Sequence, residues 1–219
     1  HIMEAFMVRF HPQWIKAREL VRNGSLGELR TVQAFFSYFN TQQDNIRNRL
    51  EAGGGALYDI GCYPIVAGRF MFEAEPVRVV ALMDRDPNFK TDRTASALLD
   101  FGEGRRLEFT VSTQSTPYQR VHLVGTHQRL EIEVPFNAPA NGTTRLLTDD
   151  GALPAGGNAV EHILPTCDQY SLEGDAFSQA IRGEIPLPYG VEDAIQNMHI
   201  IDALFRSEQS GKWEMLRQA

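Results

Sequence analysis

The 219-residue sequence carries 21 Lys and Arg against 28 Asp and Glu, a net charge of −7, and 42% of its residues are hydrophobic. Such a chain can build one sizeable core or two small domains. The charge excludes a phosphate-tracking surface, which needs concentrated Lys and Arg, and no stretch approaches the ~20 apolar residues of a membrane helix, so neither nucleic acid nor a bilayer is an expected partner.

In chain order, residues 2–10 (Ile-Met-Glu-Ala-Phe-Met-Val-Arg-Phe) are short and apolar and read as a buried strand. A buried strand with nothing before it predicts that its neighbours belong to a missing segment. Pro12 opens a helix with Trp14, Ala17, Leu20 and Val21 on its apolar face, and Asn23-Gly24 ends it. Residues 28–39 are β-rich and read as a strand; residues 40–53 are polar and read as a loop. Gly53-Gly54-Gly55 leads into a mostly apolar helix from Ala56 to Phe72. Strands are predicted at about 76–85, 93–101, 104–114, 119–125, 128–134 and 143–148, with turns at Gly102-Glu103-Gly104, Thr116-Pro117 and Asp149-Asp150-Gly151.

Consecutive strands joined by short turns pair antiparallel. After a loop at 151–158, helices are predicted at 168–182 and 190–209. Ala176, Phe177, Ala180 and Ile181 share one face of the first. Ala194, Ile195, Met198, Ile201, Ala203 and Leu204 line the core side of the second. The fold class is therefore α+β: a large, open, mainly antiparallel sheet with helices on one face. No G-x-G-x-x-G follows a strand, so the sequence has no dinucleotide fingerprint.

Asp59 and Tyr63 stand four residues apart on the apolar helix and share a face. Ala56, Leu57, Ile60, Ile65, Val66, Ala67, Phe70 and Met71 make that helix a buried one, and a carboxylate on it must find a partner. Two readings stand at this point: Asp59 caps a nearby loop while Tyr63 packs, or the pair is catalytic. Upstream, Asn45-Ile46-Arg47 lies in the polar loop, where Arg47 is either solvated or fixes a ligand. Arg9-Phe10-His11-Pro12 sits at a strand end, where sheets bind ligands; a structural hydrogen bond for His11 is the alternative. His122, His127, His162 and His199 lack metal-ligand spacing, so no metal site is expected. Cys62 and Cys167 make no disulfide framework, which suits a reducing, cytoplasmic setting, and the first residues are not a signal peptide.

These residues carry a resemblance. The chain is similar to the C-terminal part of the glucose-fructose oxidoreductase / inositol dehydrogenase / MocA family. Met3 through Gln13 looks like its last Rossmann strand and the step into the second domain; Asn45-Ile46-Arg47 followed by Gly53 through Tyr63 looks like its substrate loop and active-site helix; Gly183 through Ser207 to Gly211-Lys212-Trp213 fits its ending. The resemblance implies a remnant of the dinucleotide-binding domain at 1–10 and a substrate-binding and dimerisation domain at 11–219. It implies hydride transfer between NAD(P) and a sugar, polyol or diol, with Tyr63 and Asp59 catalytic and Arg47, Asn45, His11 and Arg9 on the substrate. Tyr63 rather than His resembles the glucose-fructose oxidoreductase, xylose dehydrogenase and dihydrodiol dehydrogenase branch. The family's Gly-rich loop and Glu-Lys-Pro motif are absent, so the chain alone is expected to be inactive and to hold NAD(P) weakly. Its lysine is the natural cation to offset Asp59, with Arg47 the weaker candidate. Gly125-Thr126-His127-Gln128 departs from the usual Gly-Thr-x-Gly turn. A homodimer or higher homo-oligomer through the sheet is expected. Competing readings are a non-enzymatic sheet module for assembly, an NAD-dependent glycosidase and a biliverdin-reductase-like protein.

Overall fold

A computed structural model describes residues 1–216. The chain divides into two compact units, residues 1–29 with 123–198, and residues 30–122 with the segment from His199 onward. Four α-helices and nine strands are present among the described residues, most strand pairs being antiparallel, and the open, mainly antiparallel α+β architecture is as the sequence predicts. No helix among them is long and apolar enough to cross a membrane.

In the second unit the strand order is β5-β1-β4-β3-β2-β9, with β1 Leu29–Phe39, β2 Arg78–Arg85, β3 Asp92–Asp100, β4 Arg106–Ser112, β5 Gln114–Gly125 (to His122 in this unit) and β9 Glu214–Met215. β1 runs parallel to β4, with Phe36 beside Val111, while β4, β3 and β2 pair antiparallel. One face of the sheet is a closed core. Val32, Ala34 and Phe36 of β1, Leu107, Phe109 and Val111 of β4, and Ala95 and Leu99 of β3 are all buried. Helix α2 (Cys62–Phe72) belongs to this core: a Cβ on Gly68 would lie 2.9 Å from Leu107, so the glycine sets how closely the helix approaches β4.

The sheet's other face carries Phe35, Val80, Leu82, Leu98 and Tyr118 around a concavity of about 570 Å³. Strand alternation sends neighbouring residues to opposite faces, which puts these apolar side chains away from the helices. Thr116-Pro117, predicted as a turn, lies inside β5 instead; the chain reverses at Thr113. Within this unit the second half of helix α4 (Val191–Ser210) buries Ile200, Ile201, Ala203 and Leu204, and its Ser207 hydroxyl accepts from Ala81 N at 3.1 Å.

In the first unit the strand predicted over residues 2–10 is a 3-10 turn, Met7–Phe10, leading into α1 (Pro12–Arg22). A short apolar run fits a strand or a buried helical turn equally well, and here a turn buries Met7 and Val8 while placing His11 as the cap of α1. Trp14 stacks on Phe136, and its indole donates to Pro135 O at 2.7 Å. Strands β6 (Arg129–Ile132), β7 (Thr144–Asp149) and β8 (Val160–Leu164) form an antiparallel set. β8 falls outside the predicted elements.

The turn at Gly125-Thr126-His127-Gln128 is clasped by residues 26–28: Thr126 N donates to Glu28 O, His127 N to Leu26 O, and Glu28 N to Thr126 Oγ1. A Cβ on Gly125 would lie 2.0 Å from Leu26 O. Helix α3 (Gln169–Ile181) buries Gln169, Glu173 and Ala180, while Ile181 is exposed. Ile195 and Met198 of α4 are exposed as well, contrary to their predicted place in the core. Apolar periodicity alone assigned those faces; in α3 two of the three buried positions, Gln169 and Glu173, are polar, and Gln169 donates to Phe136 O at 3.0 Å.

Candidate active site

The site lies in the second unit and is built where the polar loop meets the apolar helix. Two 3-10 turns, Ile46–Asn48 and Leu50–Ala52, shape the loop. Asn45 caps the first, its side-chain oxygen accepting from Arg47 N at 3.0 Å. Buried Asn48 donates to Gln42 O at 2.9 Å and ties the loop to itself. The three glycines then fold the chain back: Gly54 N donates to Arg49 O and Gly55 N to Arg47 O, and a Cβ on Gly54 would lie 2.5 Å from Arg47 O. Leu57 N donates 2.7 Å to the buried Asp92 carboxylate, an anion at the start of a helix where amides lack intrahelical partners.

The helix is not regular over its first turns. Leu57–Gly61 form a π-helical turn, and α2 follows from Cys62. Asp59 sits in this turn with its side chain 20% exposed. Its two oxygens are both engaged: Arg47 Nε donates to Oδ1 at 2.8 Å, and the Tyr38 hydroxyl donates to Oδ2 at 2.5 Å. Arg47 supplies the cation that a half-buried carboxylate requires. Beside Asp59 its guanidinium titrates above its usual range. Burial first, then the hydrogen bond to Asp59, pushes the Tyr38 phenol well above its ordinary value, so it remains a donor at neutral pH.

Tyr63 packs edge-on against Phe36, ring centroids 5.9 Å apart at 84°. Phe36 and Tyr38 lie on one face of β1, so a single strand row touches both helix residues: Tyr38 meets Asp59 and Phe36 meets Tyr63. Two strand residues and four helix residues each advance roughly 6–7 Å, which is why the contacts match.

The structure thus brings together Arg47, Asp59 and Tyr63, with Asn45 supporting Arg47. Arg9 and His11 belong to the first unit and have partners there. Arg9 is buried, pairs with Asp193 at 2.6 Å and lies 4.1 Å over the Tyr189 ring. His11 is buried and accepts from Gln13 N at 3.1 Å through Nδ1, and burial lowers its pKa to about 4.

Tyr38 and Asp92 are members of the site that the sequence reading passes over. Tyr38 had a signal: it continues the inward parity of Val32, Ala34 and Phe36 to the end of β1 with a polar tip, and a buried tyrosine hydroxyl seeks a partner. Asp92 had none, being one carboxylate in a polar turn far along the chain. A dinucleotide fits this glycine-rich turn poorly, because the amides of Gly54, Gly55 and Leu57 that could cradle phosphate already donate within the chain.

Comparison with known proteins agrees with this architecture. Residues 14–131 match the model of the GFO/IDH/MocA C-terminal domain. The chain is 40% identical over 213 residues to an uncharacterized oxidoreductase of Rhizobium meliloti, covering 97% of this chain and 64% of that protein. It is 33% identical over 214 residues to D-xylose 1-dehydrogenase (NADP(+)) 2 of Haloferax volcanii, covering 96% and 63%. Among solved structures, aldose-aldose oxidoreductase from Caulobacter crescentus, complexed with glycerol, superposes with a TM-score of 0.86 at 25% identity, covering 98% of this chain and 64% of that one. The chain therefore spans a little under two thirds of the length of each of these proteins.

Proposed function

Because the chain belongs to the GFO/IDH/MocA family, we propose that it is the substrate-binding and catalytic half of an NAD(P)-dependent oxidoreductase. The substrate is a small neutral sugar, polyol or diol. The observation that carries this reading is the engaged Asp59: its charge is balanced by Arg47, its two oxygens accept from Arg47 and Tyr38, and Tyr63 follows one turn later. An uncompensated carboxylate would disfavour a phenolate on the next turn; Arg47 removes that obstacle.

In this mechanism Tyr63 exchanges the proton of the reacting hydroxyl or carbonyl oxygen. Asp59 is an orienting group rather than the base: the Arg47 guanidinium beside it favours its charged form, and a donor anchors each of its oxygens. Arg47, its side chain 49% exposed, reaches the substrate's neighbouring oxygens. A bound nicotinamide supplies the hydride chemistry. The amides of the glycine-rich turn already donate within the chain, so cofactor binding calls for residues other than these. Roles for Asn45, Arg9 and His11 at the substrate are weaker on this geometry, because Asn45 caps a turn and the other two are occupied in the first unit.

A second copy of the chain covering the open sheet face accords with the same reading. Leu82 is 77% exposed there and Tyr118 50%, and contiguous apolar surface of this kind marks interfaces.

The test is an assay of the full-length enzyme on D-xylose, D-glucose, myo-inositol and a trans-dihydrodiol, each with NAD+ and NADP+. Turnover of at least one substrate, reduced ~10²–10⁴-fold in Tyr63→Phe, is the expected result. Absence of turnover on the whole panel, or unchanged turnover in Tyr63→Phe, overturns the reading.

A further inference from the structure

We propose that Tyr38 is a positioning residue of this site: its hydroxyl holds Asp59 by Oδ2 and thereby keeps Oδ1 on Arg47. The inference deepens the functional reading above and rests on it. The geometry is specific. Tyr38 OH lies 2.5 Å from Oδ2 and Arg47 Nε 2.8 Å from Oδ1, so the two donors grip opposite oxygens of one carboxylate. The terminal torsion of an aspartate is broad, and a carboxylate held by Arg47 alone could swing.

Arg47 is itself on an exposed loop, and its side chain is 49% exposed. It cannot serve as the rigid partner. Tyr38 can, because it stands on β1, whose preceding inward residue, Phe36, is buried and already supports Tyr63. The strand therefore references both helix residues to one frame, and Tyr38 transmits that frame to Arg47 through Asp59. The proton stays on Tyr38: burial and the adjacent carboxylate both oppose its loss, so it donates continuously and relays nothing.

The experiment is a double-mutant cycle in the full-length enzyme, on the panel substrate with the highest turnover. Tyr38→Phe removes one hydroxyl and leaves the ring. It is expected to lower kcat about ten-fold, as loss of a hydrogen bond to a charged group does, with KM changed less than two-fold, since Tyr38 touches Asp59 rather than substrate. In the Asp59→Ala background, where no acceptor remains for the hydroxyl, the same change should cost nothing further. An equal loss in that background, or a loss of kcat that simply follows a drop in thermal midpoint, overturns the proposal. The outcomes separate from failure of the parent reading. Wild-type kcat in Tyr38→Phe alone, with Asp59→Asn and Tyr63→Phe both impaired, removes Tyr38 and leaves the site standing; wild-type kcat in all three variants removes the site itself.

Discussion

A Cβ atom on Gly55 would lie 2.0 Å from Oδ1 of Asp92, and the glycine sits at φ +127°. The two residues fit only as glycine and carboxylate: the backbone conformation is one that side chains rarely adopt, and the space is taken by the anion that caps the helix start. Gly55→Ala is thus expected to destabilise the protein by about 2–4 kcal/mol, combining backbone strain with displacement of a buried carboxylate. Denaturant unfolding measures it; a loss below about 0.5 kcal/mol would show that the helix start can shift without cost.

Arg47→Ala leaves Asp59 without its cation. The site is partly exposed, so the stability cost should be small, within about 1 kcal/mol. Turnover should fall much more, at least ten-fold, because the uncompensated carboxylate then faces Tyr63. Steady-state kinetics beside a melting curve separates the two effects, and a variant that melts early while keeping its kcat would reassign Arg47 to structure.

His11 gives a pH-dependent prediction. Burial holds its pKa at about 4 in the folded chain, below the ordinary 6.5. An unfolded chain takes up the proton first, so the stability linked to neutral His11 is complete above pH 6.5 and is lost as pH falls from there towards 4. The full effect is at most about 3 kcal/mol. His11→Asn retains a capping oxygen and cannot titrate, so its unfolding free energy should change less between pH 7 and 4.5 than that of the parent. Identical slopes would exclude His11 as the source.

NADPH should bind the 219-residue chain only weakly, with a dissociation constant above the micromolar range, because the amides of its glycine-rich turn are consumed internally. Calorimetric titration tests this directly, and micromolar binding would mean that a second cradle exists.

Leu82→Glu places a charge on the open face of the sheet, at a side chain 77% exposed. If a second copy covers that face, the substitution should convert an oligomer into a monomer in light scattering while leaving the thermal midpoint of the monomer unchanged. A monomer in the parent protein at tens of micromolar would refute the interface.

Much of this architecture is legible in the residues themselves, and the parts that are not have definite causes. β1 reads plainly because residues 28–39 are rich in β-formers, with Val32, Ala34 and Phe36 at alternate positions. α1 reads because Pro12 and Asn23-Gly24 bracket it. β8 does not, since Val160 and Ile163 are exposed and carry no alternation, and β9 is two residues long. Pro117 suggests a turn by composition but occupies β5. In the site, a carboxylate on an apolar helix announces the need for a partner. Its identity depends on β1 keeping its parity to Tyr38, 21 residues upstream, and on a glycine-rich turn bringing Arg47 back over the helix. Those are tertiary facts that local spacing does not encode. The same holds for Gln169, whose partner is a main-chain carbonyl 33 residues away.

The π-helical turn at Leu57–Gly61 amounts to one residue more than an α-helix of the same rise would hold. A regular helix turns by about 100° per residue, and the wider turn spreads nearly the same rotation over one residue more, so the extra residue is absorbed in the bulge and the bearing of the helix after it is kept. Asp59 lies inside the bulge and Tyr63 beyond it. Deleting one residue from the turn would therefore leave Tyr63 facing Phe36 while carrying Asp59 off its two donors, so the length of this segment works like a vernier that sets the acid without re-aiming the tyrosine.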